Sequence, residues 1–391
     1  MPTLAIAKAS NLSFSPSYIP VAVFAGGTSG VGQAMAEAFA RQTDGRAHII
    51  LVGRNASAAA STLAGFPKPK GADGWAHEFV ECDATSMASV RAMCAGLRGR
   101  LTHINFLVMT AGANSMVECG ETAEGLDHHL SIRYYSRYTY VKELVTLLGA
   151  ARDKGQDARV ISVLGAGFGM TIATDDLGLE KARRGTIGFL KGAMLSFAAL
   201  KGMVRGVAYN DGMLAHFAAQ HPDLAFTHIH PGQVDTPGAV LYMGWLLSAR
   251  MDDCAQYMLY GLFDGARGLF IRNQHGDVVS AHICQSDHAA QVDAKSSIAH
   301  KAGVLHGVPM KGYGGSDTTV KMLVEYTERV LGVIECFASQ ISGSGRVVTK
   351  MRKLLGSSVA RASNEIRTWR AGRSPLASNS KASMTITTGP K

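Results

Sequence analysis

The chain has 391 residues, of which 47% are hydrophobic and 18% are charged, and its formal net charge is +9. The hydrophobic fraction is too high, and the charged fraction too low, for a chain that is disordered throughout. A chain of this length can bury a sizeable core, and its length alone permits two or three domains.

The positive charge is concentrated in the carboxyl-terminal tail. Residues 336–391 contain ten Lys or Arg and one acid, Glu365, whereas the other 335 residues carry 29 basic and 29 acidic side chains. The tail also lacks aromatic residues interleaved with its basic ones, beyond Trp369. We therefore expect a loosely ordered, solubilising extension and no specific nucleic-acid partner.

The cysteine pattern and the lack of long apolar runs favour a cytoplasmic location. The six Cys residues form no Cys-x-x-Cys pair, and they are too few for a disulfide scaffold, so they resemble free thiols in a reducing compartment. The amino-terminal sequence has no apolar core after a basic start, which makes it a poor signal peptide. No run of about 18 apolar residues is present, so we expect no transmembrane segment.

Strand and helix patterns alternate from residue 21 onward. The apolar run at 21–25 predicts a buried strand, and after a glycine turn Val31, Met35 and Phe39 share one helical face. The remaining predicted strands are at 48–52, 77–82, 103–109, 159–164 and 224–230, and the remaining predicted helices are at 56–64, 86–97, 121–151 and 209–220. This alternation predicts a Rossmann-type α/β fold with a doubly wound parallel sheet.

We expect a single domain with insertions. An amino-terminal lead at 1–20 precedes a Rossmann-like domain at 21–335, and the basic, Ser-rich tail at 336–391 follows it. Two stretches depart from the minimal pattern. One is a Gly-rich insertion at 165–205, and the other is a substrate lid region at 238–320, where helix-like pieces mix with Gly-containing loops.

Four glycines, at positions 26, 27, 30 and 32, connect the first predicted strand to its helix. A dinucleotide pyrophosphate has to approach the backbone closely, and only glycine leaves room for it. The free N–H groups and the positive end of the helix then stabilise the anion. The strand, glycine turn and helix together predict a dinucleotide-binding site.

The sequence AGGTSGVG at 25–32 resembles the TGxxxGxG turn of the short-chain dehydrogenase/reductase superfamily. Four further partial motifs follow in the order of that superfamily: Gly53-Arg54, Asp83-Ala84, Thr110-Ala111-Gly112 in place of NNAG, and 231–236 in place of PGxVxT. The resemblance implies that the cofactor is bound by Gly26, Gly27, Thr28, Ser29, Gly30, Val31, Gly32, Arg54, Asn55, Asp83, Ala84, Ala111, Gly112, Pro231, Gly232, Val234 and Thr236.

Arg54 favours the phosphorylated form of the cofactor. It stands 22 residues after Gly32, at the end of the second strand. In the resembling family an acid at this position would hold the ribose 2′-hydroxyl, whereas an arginine suits a 2′-phosphate. The resemblance therefore implies NADP(H) rather than NAD, and the alternative is an ordinary surface arginine after a strand.

The catalytic residues of the superfamily are only partly matched. The family uses a Tyr, a Lys four residues later, a Ser after the fifth strand and an Asn in the preceding helix for acid–base chemistry. Aligned on the motifs, these positions fall on Tyr209, Met213, Leu164 and Arg133, and Ser162 lies two residues before Leu164 on the same strand face. The candidate catalytic residues are therefore Tyr209, Ser162 and Arg133. A core role for Tyr209 stays open.

Two other patterns are interpreted as structural. A literal Tyr-x-x-x-Lys occurs at Tyr138 and Lys142, but it lies in the helix before the fifth strand, which is the wrong element. His228 and His230 share one face of a predicted strand, but no third ligand is spaced for zinc, so we expect no metal.

Several stretches resemble a divergent branch of the superfamily found among fungal secondary-metabolite proteins. They include Tyr209-Asn210-Asp211 and the segments 257–260 and 325–330. The apolar segment 239–247 falls where the family forms a lid, and its composition favours an apolar small-molecule substrate. A peripheral membrane contact or a homodimer through this segment is the competing interpretation.

The leading hypothesis is an NADP(H)-dependent oxidoreductase that reduces a carbonyl, or oxidises an alcohol, of an apolar small molecule. Because the family's Lys and Ser positions are not matched, two alternatives stay open. One is a non-redox catalyst on the same fold, such as a cyclase or isomerase. The other is a non-catalytic sensor that binds NADP(H).

Overall fold

The computed structural model describes residues 1–68, 77–112, 120–169, 171–180, 191–235, 249–282 and 316–340. The strands are β1 (Val21–Ala25), β2 (His48–Gly53), β3 (Glu78–Glu81), β4 (Phe106–Met109), β5 (Arg159–Val163), β6 (Ala225–Ile229), β7 (Gly268–Arg272) and β8 (Val278–His282). The helices are α1 (Leu4–Leu12), α2 (Gly30–Gln42), α3 (Ala56–Ala64), α4 (Met87–Arg98), α5 (His128–Leu130, a π-helical segment Ser131–Tyr135, then Ser136–Asp153), α6 (Lys191–Gln220), α7 (Met251–Leu262) and α8 (Asp317–Gln340).

The described strands form one sheet in the order β3-β2-β1-β4-β5-β6-β7-β8. Pairing is parallel from β3 to β7, and β8 is antiparallel to β7. Between β1 and β4 the strand order reverses, and such a switch point opens a crevice at the carboxyl ends of the strands. The predicted doubly wound α/β fold is confirmed, with β8 as an antiparallel addition at one edge.

Helices cover both faces of the sheet because its strands are apolar on both sides. Val23 and Val160 belong to the core on the side of α4, α5, α6 and α8, whereas Phe24 and Phe106 belong to the core on the side of α2 and α7. Successive residues of a strand point to opposite faces, so an uninterrupted apolar run fills both cores. Each such buried side chain stabilises the fold by about 1.5–3 kcal/mol.

Two predicted helices have different starts in the structure. The helix predicted over 121–151 begins only at His128, because Glu121 and Asp127 form an antiparallel bridge around Gly125, whose φ is +76°. The Asp127 carboxylate then accepts a hydrogen bond from the Leu130 N–H at 3.0 Å and caps the helix. The helix predicted over 209–220 begins earlier, at Lys191, so α6 includes part of the predicted insertion.

The predicted lid region at 238–320 contains regular elements that the sequence pattern did not resolve. It holds α7, β7 and β8, and the two strands extend the sheet beyond β6. Each of these strands has five residues, which is too short for a periodic pattern to distinguish it from a loop.

The predicted ends of the domain also contain helices. Asn11, near the end of α1, donates a hydrogen bond from Nδ2 to the Gln256 carbonyl on α7 at 2.9 Å, so part of the predicted lead packs against the fold. The helix α8 runs across the boundary predicted at 335. Within the described part of the chain, no helix has both the length and the apolar character needed to cross a membrane.

Candidate functional site

A cavity of about 390 Å³ opens at the carboxyl ends of the central strands, across the switch point between β1 and β4. It is lined by Gly26, Thr28, Ser29, Gly30, Val31, Gly32, Val52, Gly53, Arg54, Cys82, Asp83, Ala84, Thr110, Ala111, Gly112, Ile132, Arg133, Tyr140, Val163, Leu164, Gly165, His230, Pro231, Gly232 and Val234. A doubly wound sheet binds dinucleotides across this crevice.

The structure brings most of the predicted cofactor residues to this cavity. Among the described ones, Gly27 and Asn55 do not line it. A Cβ on Gly27 would lie 2.9 Å from the Phe24 Cβ, so this glycine is needed for packing beneath the turn. The Asn55 side chain accepts the Ala58 N–H at 3.0 Å and caps α3. Thr236 lies outside the described residues.

The glycine turn after β1 lies directly against the end of β4. Gly26 has a φ of +96°, and a Cβ there would lie 2.5 Å from the Ala111 nitrogen. A Cβ on Gly32 would overlap the Thr110 hydroxyl and the Gly26 carbonyl oxygen. Thr110 holds the turn in place, because its hydroxyl donates to the carbonyl oxygens of Ala25 and Gly26 at 3.2 and 3.3 Å. The turn therefore tolerates glycine alone at these positions.

The amino terminus of α2, which is the positive end of the helix dipole, borders the cavity. Ser29 occupies the N-cap position but makes no side-chain capping hydrogen bond, and the first turn contains no acidic residue. The helices α3 and α4 differ, since Asn55 and Ser86 cap them through their side chains. The backbone N–H groups at the start of α2 are thus well placed for an anion such as a pyrophosphate.

On the β2 and β3 side, the cavity is lined by Arg54, Asp83 and Cys82. Arg54 is exposed at the rim, where its guanidinium can approach a phosphate. The Asp83 carboxylate accepts hydrogen bonds from the N–H and hydroxyl of Thr85 at 2.9 and 2.8 Å, which orders the turn after β3. Cys82 lies 3.5 Å from the Tyr140 hydroxyl, and burial raises the pKa of this thiol.

On the β4, β5 and β6 side, Arg133 and His230 line the cavity. Arg133 lies in the π-helical segment of α5 and is 5% exposed, and burial lowers the pKa of its guanidinium to about 10, so it remains cationic at neutral pH. His230 follows β6 and is half-buried. Burial lowers the pKa of its imidazole, and a hydrogen bond with the Leu164 backbone opposes that shift. The Phe168 ring lies 4.7 Å from the imidazole, centroid to centroid.

Ser162, a predicted catalytic residue, is buried beneath the cavity and does not line it. Arg137 donates from Nη1 to its Oγ at 2.5 Å, and the Ser162 hydroxyl donates to the Asn210 Oδ1 at 2.9 Å. The Asn210 Nδ2 in turn donates to the carbonyl oxygens of Arg133 and Gly206 at 2.6 and 2.7 Å. The Ser162 hydroxyl is therefore hydrogen-bonded inside the protein, which favours a structural role, and its catalytic role stays a prediction.

Tyr209, the predicted proton donor, is turned into the core. It is fully buried on α6, its hydroxyl donates to the Leu177 carbonyl at 3.2 Å, and its ring packs 5.2 Å from the Tyr134 ring. It does not line the cavity, and burial raises the pKa of its hydroxyl. The catalytic role of Tyr209 stays a prediction, and this placement favours the core interpretation.

The Tyr138 and Lys142 pair is structural, as interpreted from the sequence. The Tyr138 hydroxyl donates to Glu328 Oε1 at 2.7 Å, and the Lys142 ammonium pairs with Oε2 of the same carboxylate at 2.5 Å. Both side chains therefore join α5 to α8, away from the cavity.

A second buried polar pair lies next to the Ser162 network. The His228 Nδ1 and the Asp211 Oδ1 are 2.5 Å apart, and both side chains are almost completely buried. Within the described residues, no group of three or more His, Cys, Asp or Glu side chains is arranged to hold a metal ion.

Two residues of this site were missed by the sequence reasoning but carried a usable pattern. His230 directly precedes the Pro231-Gly232 pair that the motif identified, so adjacency alone could have found it. Arg137 follows Arg133 by four residues, which places both on one side of a helix. By contrast, nothing in the sequence links Cys82 to Tyr140, because α5 brings them together only in the folded chain.

Comparison with known proteins identifies a family and two fungal relatives. The family described as short chain dehydrogenase matches residues 20–172. The chain is 32% identical over 238 residues to oxidoreductase AN1596 of Emericella nidulans, covering 60% of this chain and 65% of that protein, which is slightly less than two thirds. It is 30% identical over 276 residues to oxidoreductase andH of Emericella variicolor, covering 66% of this chain and 74% of that protein.

A solved structure shows the same fold. The crystal structure of an uncharacterized protein from Mycobacterium Paratuberculosis superposes with a TM-score of 0.52 at 14% sequence identity, covering 82% of this chain and 97% of that one. At this identity the similarity concerns the fold alone.

Proposed function

Because the chain belongs to the short-chain dehydrogenase/reductase superfamily, we propose that it is an NADP(H)-dependent oxidoreductase acting on the carbonyl or alcohol group of a small apolar molecule. The observation that carries this proposal is the cavity itself. The glycine turn, the open amino terminus of α2 and the cation Arg54 all line one crevice at the switch point of the sheet.

The residues present fit a dinucleotide. A Cβ at Gly26 or Gly32 would fill the space beside the Thr110 hydroxyl, so the glycine turn is a cradle that backbone alone can form. The pyrophosphate is held by the amides at the start of α2, and Arg54 pairs with the 2′-phosphate. The adenosine is held by Asp83 and Ala84, and the nicotinamide half by Ala111, Gly112, Pro231, Gly232 and Val234. Thr236, the remaining predicted contact, lies outside the described residues.

The chemistry takes place on the β4, β5 and β6 side of the cavity. The bound nicotinamide cofactor supplies a hydride to the substrate carbon, or accepts one in the reverse direction. Arg133 stabilises the negative charge that develops on the substrate oxygen, as a buried cation does most strongly in a site that excludes water. The His230 imidazolium donates a proton to that oxygen, so that a carbonyl becomes an alcohol.

The substrate is apolar. The lining of this half includes Ile132, Val163, Leu164 and Val234, and apolar walls with a few polar groups are typical of small-molecule sites. The apolar segment 239–247, which the sequence analysis interprets as a lid, lies outside the described residues.

The biological setting is also part of the proposal. Both fungal relatives are named oxidoreductases, and we assign this chain to fungal secondary metabolism in the cytoplasm. The cysteines Cys82, Cys94 and Cys254 are free thiols. The helix α8 extends the predicted domain from residue 335 to Gln340, and the rest of the predicted basic tail lies outside the described residues.

A second candidate function keeps the cofactor site and omits the hydride transfer. It is favoured by the positions of Ser162 and Tyr209, whose hydroxyls are bonded to Asn210 and Leu177 rather than turned to the cavity. A non-redox catalyst, such as a cyclase or isomerase, or an NADP(H) sensor would need no proton donor of the family type.

The test combines cofactor binding with turnover. NADPH and NADH binding are titrated for the wild type, Arg54→Gln and Arg54→Lys, and NADPH consumption is followed at about 340 nm against apolar ketones, aldehydes and enones. We expect Arg54→Gln to weaken NADPH binding by about tenfold to a hundredfold and to leave NADH binding unchanged, because one charge-assisted phosphate contact is lost. Arg54→Lys, which keeps the charge without the bidentate fork, should fall between.

The outcomes separate the candidates. Consumption of NADPH with any member of the panel supports the oxidoreductase. Tight NADPH binding without consumption favours the non-redox catalyst or the sensor. Equal loss of NADPH and NADH binding in Arg54→Gln would contradict a 2′-phosphate contact.

A further inference from the structure

The buried arginine Arg137 lies directly behind the lining of the cavity. Its side chain is 1% exposed, and Nη2 donates to the carbonyl oxygens of Ala111 and Val163 at 2.8 and 3.1 Å. Nη1 donates to the Ser162 hydroxyl at 2.5 Å. Ala111 and Val163 both line the cavity, so the guanidinium is separated from the cavity by no more than the backbone to which it bonds.

The strand order assigns this position to one half of a bound dinucleotide. Ala111 follows β4 and Val163 ends β5, on the side of the switch point opposite to Arg54 and Asp83. A dinucleotide that lies across the switch point with its adenosine beside Arg54 has its nicotinamide on the Arg137 side. This step rests on the proposed function.

Among the described residues, no carboxylate accepts a hydrogen bond from this guanidinium. The three acceptors named above are neutral oxygen atoms. Burial, with a smaller contribution from Arg133, lowers the pKa of Arg137 to about 9, so the group is still cationic at neutral pH.

Two charged side chains near Arg137 belong to the same region of the structure. Arg133, four residues earlier on α5, is a second buried cation and lines the cavity itself. The carboxylate of Asp211, next to Asn210 on α6, is paired with the His228 Nδ1.

We propose that Arg137 makes the chain discriminate between the redox states of its cofactor, binding NADPH more tightly than NADP⁺ and thereby favouring reduction of the substrate. The oxidised nicotinamide ring is a cation, whereas the reduced ring is neutral. A buried cation repels the first and leaves the second unaffected.

The same repulsion acts within each turnover. In the reduction of a carbonyl, the bound cofactor would supply a hydride to the substrate carbon, an acid would supply a proton to the oxygen, and the cofactor would leave the step with a cationic ring. The oxidised cofactor is therefore released more readily than the reduced one. At the effective dielectric of a protein, two unit charges within about 10 Å of each other interact by more than the ~1.4 kcal/mol that a tenfold affinity ratio requires.

The experiment measures the binding of NADPH, NADP⁺ and 2′,5′-ADP to the full chain by calorimetry. We expect the wild type to bind NADPH at least about tenfold more tightly than NADP⁺. Arg137→Gln removes the charge but keeps an amide donor, and it should reduce this ratio by about threefold or more. Arg137→Lys keeps the charge and should keep most of the ratio. The ligand 2′,5′-ADP lacks the nicotinamide, so all three proteins should bind it alike.

Salt distinguishes a buried cation from a surface one. Ionic strength weakens phosphate contacts of both redox forms equally, so the NADPH to NADP⁺ ratio should stay constant between about 50 and 500 mM salt, where a surface charge would be screened.

Several results would overturn the inference. If the wild type binds 2′,5′-ADP but binds NADPH and NADP⁺ with nearly equal affinity, the inference about Arg137 is wrong while the cofactor site is supported. If the NADPH to NADP⁺ affinity ratio is unchanged in Arg137→Gln, the charge of Arg137 does not cause the discrimination. The same conclusion follows if Arg137→Lys reduces this ratio as much as Arg137→Gln does. If Arg137→Gln does not fold, the wild-type ratio and Arg137→Lys still decide. Failure of the wild type to bind NADPH or 2′,5′-ADP refutes the proposed function, and the inference with it.

Discussion

The hydroxyl of Ser162 donates a hydrogen bond to the Asn210 Oδ1, 2.9 Å away, where both side chains are fully buried. Because this hydroxyl also accepts from Arg137, Ser162→Ala removes a structural link rather than a catalytic group. We expect the free energy of unfolding to fall by about 1–3 kcal/mol, since two buried polar partners are left without their contact. Denaturant unfolding and NADPH turnover, measured on the same preparation, check this.

The effect on turnover should be small. Loss of a proton-transfer group lowers kcat by about 10²–10⁴-fold, and Ser162→Ala should fall well short of that range. A variant of unchanged stability whose kcat lies within that range would show that Ser162 has a catalytic role.

Substitution of Gly32 should weaken cofactor binding without a comparable loss of stability elsewhere in the fold. A Cβ at this position overlaps the Thr110 hydroxyl and the Gly26 carbonyl oxygen, so Gly32→Ala has to displace the turn that holds the pyrophosphate. We expect NADPH binding to weaken by at least about tenfold in titration. The control is Gly96→Ala, on the exposed side of α4, where a Cβ meets no atom within 4 Å. That variant should bind NADPH normally and gain about 0.5–1 kcal/mol of stability.

The cofactor half of this site could be predicted from sequence because its requirements are local. The glycine turn, Arg54 and the Pro231-Gly232 pair each act through a few consecutive residues at a strand end, and the strand order then brings the ends together. Gly27 shows the limit of this reasoning. A glycine is required at this position because Phe24 packs beneath it. A sequence motif does not distinguish a glycine required by packing from one required by contact with a ligand.

The catalytic half could not be predicted because its side-chain directions depend on packing. Tyr209 and Asn210 are neighbours on α6, yet one turns to Leu177 in the core and the other to Ser162. Which of them faces the sheet is set by the rotation of a helix whose first residues the sequence placed in an insertion. The short strands β7 and β8 were not predicted for a related reason, since their burial comes from pairing with β6 and with each other.

Acid should destabilise the protein partly through His77. Its Nδ1 accepts the Ile49 N–H at 3.3 Å, its ring packs edge-on to Phe66, and burial lowers the pKa of the imidazole to about 4, with His48 adding to the shift. The unfolded chain binds this proton near pH 6.5. The contribution of the neutral ring is therefore fully present above about pH 6.5 and is lost as pH falls toward about 4.

The variant His77→Asn keeps an acceptor for the Ile49 N–H and cannot be protonated. Its denaturant midpoint should fall less than that of the wild type between about pH 7 and pH 5. Parallel decreases in the two proteins would show that His77 does not contribute to the acid sensitivity.

Replacing His230 should remove the proton donor while retaining the cofactor. We expect His230→Asn to lower kcat for carbonyl reduction by about 10²–10⁴-fold, because a positioned acid is lost, whereas the Kd for NADPH changes little.

The wild-type kcat/KM for reduction should fall as pH rises through the pKa of His230, since the imidazolium is the donor. Burial lowers that pKa, so the decline should be centred below about pH 6.5. The control is His221→Asn, between α6 and β6 at the opposite end of the strand from His230, which should retain the same pH limb. If kcat/KM for reduction still declines over the same pH range in His230→Asn, another group supplies the proton, and His230 only lines the cavity.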